Sequence, residues 1–280
     1  PPLLLSDPLP AGFLPRPVLP PPDPDRENEV IASLTAGGRL PADPLERFDA
    51  WKALARRRYV SLSVLRRVLD GLSALSLAEA ICQEADPVPP TMLTVPVAHN
   101  AIDRLTNHTL ADGGLFFSPE TFAAAPVEYD LWVVASCEPA RVRELLGWAV
   151  EGGYGRDAST GKGHFTVDGI RPESLPAAQN PNAVMTLGPC APAAGDPARG
   201  CWMIEPRFGK LGGPWAAQAD GAGVFKHPLI FLAAGAVLAG PPRPFLGRIV
   251  PNVHPTRPEV VQYGLAVTIP VRCPDFEETS

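Results

Sequence analysis

Residues 152–165, GGYGRDASTGKGHF, constrain the chain more than any other stretch, because Gly152, Gly153, Gly155, Gly161 and Gly163 separate a helical pattern from a short apolar run. A residue without Cβ takes positive φ freely, so the backbone here can turn sharply and bring N–H groups against an anion. Arg156 and Lys162 supply charge. The helix before the loop spans 139–150, with Pro139 suited to its first position and Val142, Leu145, Leu146 and Ala149 on one face. Gly152 and Gly153 end it. His164-Phe165-Thr166-Val167 alternates as a strand would.

That order of helix, loop and strand excludes two familiar phosphate motifs. A Walker A loop places four residues before Gly-Lys-Ser/Thr, whereas Gly155 and Gly161 enclose residues 156–160 and Lys162 is followed by Gly163. Gly153-x-Gly155-x-x-Ala158 fits a relaxed dinucleotide fingerprint, but that fingerprint runs from a strand into a helix. A solvated surface loop is the alternative reading of the same residues.

The chain has 280 residues, 45% of them hydrophobic, enough for a sizeable core and for two domains of ordinary size. Its formal net charge of −6 excludes polyanion binding by bulk positive charge, so any such site is local. Lys52, Arg56, Arg57, Arg58, Arg66 and Arg67 form one basic stretch, read more simply as a solvated helix face. Cys82, Cys137, Cys190, Cys201 and Cys273 make no C-x-x-C pair and signal neither a disulfide framework nor zinc. The opening PPLLLSDPLP has no signal-peptide character, and the apolar run 229–239 is too short for a bilayer. The expected location is cytoplasmic.

Prolines crowd the start of the chain. The segment 15–22, PRPVLPPP, is extended and has the look of an SH3 ligand, but its apolar neighbours Phe13 and Leu14 favour an extended segment packed on a domain. Residues 44–82 form the strongest helical pattern, with Trp51, Leu54, Ala55, Tyr59, Leu62, Leu65, Leu69 and Leu72 in phase and Gly71 a point of division. Residues 91–97 and 127–134 read as strands around a polar insertion containing Leu115-Phe116-Phe117. A linker lies at 172–182. Beyond it, runs at 183–187, 202–205, 229–232, 236–238 and 265–269 predict a mostly β half. The whole reads as α+β, with one domain over 1–175 and another over 180–280.

Three separated stretches then carry a resemblance. They are Leu4-Leu5-Ser6-Asp7 with Pro8, Pro10, Leu14-Pro15 and Pro17; HNAIDRLT at 99–106 followed by Gly114-Leu115-Phe116; and the glycine stretch 152–165. A fourth runs from Arg207-Phe208-Gly209-Lys210 through Phe225-Lys226 to AGAV at 234–237. In this order they resemble the RAMP subunit that caps the guide RNA in type III-A CRISPR antiviral (Csm) complexes, the fourth Csm subunit. The resemblance implies two ferredoxin-like (RRM-like) folds, a β-hairpin thumb over about 98–120 and the glycine loop over 152–163. It implies a partner in the 5′ handle of CRISPR guide RNA, with target RNA near the handle junction, the large cyclase/nuclease subunit and a backbone RAMP subunit as neighbours. No catalytic residue, cofactor, metal or membrane contact belongs to that role. The family opens with a strand and helix ahead of Ser6-Asp7 that this sequence does not carry, which implies an N-terminal sheet with an unpaired edge or a partner strand supplied from elsewhere.

The residues carried over to RNA are His99, Asn100, Asp103, Arg104, Thr106, Leu115 and Phe116; Gly153, Gly155, Arg156, Ser159, Thr160, Gly161, Lys162 and Gly163; and Arg207, Lys210 and Lys226. Cations tracking a backbone beside groups that stack on bases suit single-stranded RNA. Arg104 is assigned to phosphate, with Leu115 and Phe116 as a wedge; pairing of Asp103 with Arg104 is the structural alternative. A RAMP-type endoribonuclease would need an acid or base from His99, His108, His164, His227 or His254, none of which has an obvious catalytic neighbour in sequence. A protein-only scaffold is the third reading.

Overall fold

Helix starts are set by two Asp-Pro pairs. In a computed structural model, which describes residues 3–84, 88–90, 92–110, 114–123, 127–155, 161–212 and 223–277, Pro24–Ala36 forms α1 and Pro44–Arg56 forms α2. Asp23 Oδ1 accepts from the amides of Asp25 and Arg26, and Asp43 Oδ1 from those of Leu45 and Glu46, while proline fills each first helical position. The helical pattern expected over 44–82 is interrupted. Arg57 leaves helical geometry, and Tyr59–Ser61 (β4) pairs with Phe13–Pro15 (β3). Ser61 then caps α3 (Leu62–Val68), its hydroxyl accepting from Val64 N at 3.2 Å. A 3-10 turn at Leu69–Gly71 precedes α4 (Ala74–Glu84), so Gly71 does mark a break.

The N-terminal strands form short antiparallel ladders. Leu3–Leu5 (β1) pairs with Val133–Ala135 (β8), and Leu9–Pro10 (β2) with Tyr129–Asp130 (β7). The strand expected over 127–134 is thus split at Leu131-Trp132, where Ser6 N donates to Trp132 O and Ser6 Oγ accepts from Trp132 N, both at 2.9 Å. The proline segment is packed: Arg16 N donates to Arg58 O at 2.9 Å and Val18 N to Gly235 O at 2.8 Å. Helix α5 (Pro139–Gly152) has proline at its first turn; of its expected apolar face only Val142 is fully buried.

The C-terminal half is β. Its antiparallel sheet runs, edge to edge, Gly200–Cys201 (β10), Val237–Ala239 (β13), Ala183–Thr186 (β9), Leu265–Val271 (β15) and Phe245–Gly247 (β14). Alternate residues divide between two cores, as a period of two requires. Met185, Val237, Val267 and Ile269 face one core; Val184, Leu238 and Ala266 face the other. The first core also contains Val60, Val64, Leu65, Leu72, Leu77 and Ile81 from the helical region, so helices of the first half cover the sheet of the second. Ile204–Arg207 (β11) and Leu229–Leu232 (β12) form a ribbon that reaches the second core through Leu232.

Candidate functional site

Met92–Asn100 (β5) and Leu115–Ala123 (β6) pair over their full lengths as one antiparallel hairpin. Pro96 and Pro119 stand opposite each other. A proline cannot join a hydrogen-bonded pair, so this register leaves their missing donors pointing outward and blunts both edges of the hairpin against strand addition. The two faces differ. Val95, Val97, His99, Ser118 and Glu120 lie on one, all at least half-buried, beside the exposed Leu93, Phe116 and Phe122, while Thr94, Pro96, Ala98, Asn100, Leu115, Phe117, Pro119 and Thr121 lie exposed on the other. Leu115 and Phe116, assigned together from sequence, thus point to opposite sides.

The tip is ordered by its own polar groups. An Ile102–Thr109 bridge leads into a turn where Asp103 Oδ1 accepts from Leu105 N at 2.8 Å and Asn107 takes a φ of 56°. Asp103 thus shapes the backbone, and Thr106 Oγ1 accepts from His108 N at 3.4 Å. Arg104 is exposed, and Leu105 beside it is 95% exposed.

On the hairpin's inner face, His99 Nε2 lies 2.7 Å from Ser118 Oγ and 2.9 Å from Glu120 Oε1, and its ring stacks on Phe116 with centroids 5.2 Å apart. Serine, histidine and carboxylate in contact suggest a hydrolytic triad, but serine and glutamate meet the same ring nitrogen. A triad needs one partner on each nitrogen, and Ser118 is buried. The cluster is instead a hydrogen-bonded support. Lys162 of the glycine loop donates to the same Glu120 Oε1, and that bond, with a smaller pull from His99, holds the carboxyl below its ordinary range. Loop and hairpin are thereby joined.

The loop uses its glycines as the sequence requires. Gly153, Gly155, Gly161 and Gly163 have φ of 70°, 89°, 89° and 67°, and Tyr154 N donates to Gly163 O at 2.8 Å, closing the neck. Arg156, Ser159 and Thr160 lie outside the described residues. The strand expected at 164–167 does not form; the chain leaves Gly163 without joining any described ladder. A Cβ at Gly163 would sit 1.8 Å from Tyr154 O. Gly163→Ala is therefore expected to open the neck, seen as lost hydrogen-exchange protection at the Tyr154 amide with protection of β15 unchanged; retained protection at Tyr154 would show that the close approach is dispensable.

Charges of the N-terminal motif and of the C-terminal ribbon act on Tyr154. Burial and the Asp7 carboxylate raise the Tyr154 phenol while Arg207 pulls it back, and burial raises Asp7 against the same Arg207. Arg207 also lies over the Phe231 ring at 4.7 Å and donates to Glu205 at 3.0 Å. Lys210 sits 4.9 Å over Phe225, and Lys226 donates to Gln262 at 3.2 Å. Arg207 and Lys226 line an open groove of about 420 Å³ with Phe208, His227 and Gln262. The structure thus gathers Lys162, Glu120 and His99 beside the loop's neck, where Asp7 and Arg207 act on Tyr154 through their charges. Sequence reasoning missed Ser118, Phe117, Glu120 and Tyr154; the alternation of β6 was the available signal for the first three.

Among the described residues, no group of three His, Cys, Asp or Glu is arranged to hold a metal, and no helix is long and apolar enough to cross a membrane. No protein-family model and no curated protein matches the chain. Among solved structures it is similar to the crystal structure of the Csm3-Csm4 subcomplex in the type III-A CRISPR-Cas interference complex, at 13% identity and a TM-score of 0.47, over 97% of this chain and 84% of that one.

Proposed function

We propose that this chain is a non-catalytic RNA-binding subunit that caps the 5′ handle of a CRISPR guide RNA in a type III-A complex and links the large cyclase/nuclease subunit to the backbone subunits. The observation that carries the reading is convergence. Stretches far apart in sequence, at His99 and Glu120 on the hairpin and at Tyr154 and Lys162, meet around one glycine loop, with the Asp7 and Arg207 charges near enough to bear on the Tyr154 phenol. A core alone does not require this, since all but His99 and Glu120 lie on loops or on the ribbon, where binding residues concentrate. On this reading the blunted hairpin is the thumb, the two halves are the ferredoxin-like units, and Arg104, Lys162, Arg207, Lys210 and Lys226 follow the RNA backbone.

The test is RNA binding and cleavage by the purified chain and by the assembled complex. Salt-sensitive binding without cleavage, with or without divalent metal, is expected. Alanine at both Arg156 and Lys162 should weaken it and flatten the log–log salt slope by about 0.7 per lost phosphate contact. Cleavage abolished by changing one histidine would establish the endoribonuclease instead, and assembly with no RNA contact by this chain would leave a protein-only scaffold.

A further inference from the structure

We infer that Glu120 is an internal stand-in for RNA phosphate: its carboxylate occupies Lys162 in the RNA-free protein, and RNA gains that lysine only by displacing it. The inference rests on the RNA-binding reading and adds how the site is regulated. Glu120 sits in the middle of β6 on the hairpin's inner face, its side chain only 12% exposed, whereas that of Lys162 is 38% exposed. A phosphate can thus reach the ammonium from solvent. The carboxylate behind it stays in place.

Two features make the exchange feasible. Glu120 does not lose every partner when Lys162 leaves, because His99 Nε2 remains 2.9 Å from the same oxygen and can donate to it, its ring held by stacking on Phe116. A partly buried carboxylate keeping one charge-compatible bond avoids most of the penalty of an orphaned acid. The lysine also has unequal flanks. Gly163 is fixed against Tyr154, whereas among the described residues a Cβ on Gly161 would meet nothing within 4 Å, so the described chain anchors Lys162 from the Gly163 side. RNA arriving at the loop would therefore release the hairpin from it, coupling backbone capture to thumb position.

The experiment measures anisotropy of a fluorescein-labelled single-stranded RNA with wild type, Glu120→Gln, Lys162→Ala and the double variant, at fixed salt. Glu120→Gln retains size and an acceptor for His99. Removing a competitor of this kind should tighten binding by about three- to tenfold, and the gain should vanish in the Lys162→Ala background. Wild-type binding with Glu120→Gln no tighter overturns the stand-in while leaving the RNA-binding reading intact. No binding by either protein overturns both. Hydrogen exchange on the wild type tests the exchange without any variant: protection around Glu120 should fall when RNA binds, and a rise there would overturn the inference.

Discussion

Leu65→Ala is expected to lower stability by about 2–5 kcal/mol, the range for removing a fully buried leucine from a core that collapses incompletely. Leu65 is wholly buried on α3, and the cluster it joins continues without a break through Leu72, Leu77 and Ile81 into Met185, Val267 and Ile269 of the C-terminal sheet. Backbone bonds reinforce the join. Leu72 N donates to Arg272 O and Arg272 N to Leu69 O, both at 2.8 Å. A cavity in such a shared core weakens both sides, so denaturant unfolding of the variant should remain one transition, with exchange in α4 and β15 shifting together. Separate transitions, with β15 unchanged, would mean that the sheet carries its own stability.

How far the sequence led depends on whether a signal is local. Short apolar runs placed β9, β13 and β15 within a residue or two, because both faces of their sheet are buried and such strands read as continuous apolar stretches; β12 in the ribbon was placed by the same kind of run. Helix α1 was missed: only Leu34 on it is buried, leaving little periodicity to read, although Asp23-Pro24 repeats the cap of Asp43-Pro44. The helical pattern over 44–82 broke where Tyr59 and Val60 found a partner in β3, a tertiary contact that overrides helical spacing. The same distinction holds at the site. Positive φ in the glycine loop was legible from residue type, but the destination of Lys162 was not, since its carboxylate lies 42 positions away on another element. Nor could motif matching separate Leu115 from Phe116, which the pleat sends to opposite faces.

That separation fixes where a base-parting wedge would act. Under the proposed function, the hairpin marks the end of the handle by holding neighbouring bases apart, and we assign that part to Leu115 and Phe117, adjoining the tip and 60% and 64% exposed on the outer face. Phe116 is engaged with His99. Opening one stacked step costs a few kcal/mol, which contact with an exposed aromatic and a leucine can offset. In the assembled complex, alanine at both Leu115 and Phe117 should spare assembly yet let the junction base restack, quenching a 2-aminopurine placed there several-fold. Phe116→Ala should quench it less, because that ring supports His99 from the inner face. Equal quenching by both variants would remove the facial assignment, and an unchanged signal in both would take the wedge away from this hairpin altogether. The effect should also be insensitive to salt, unlike capture by Lys162, because the outer face as described carries no charged side chain and its contribution is contact with base surface alone.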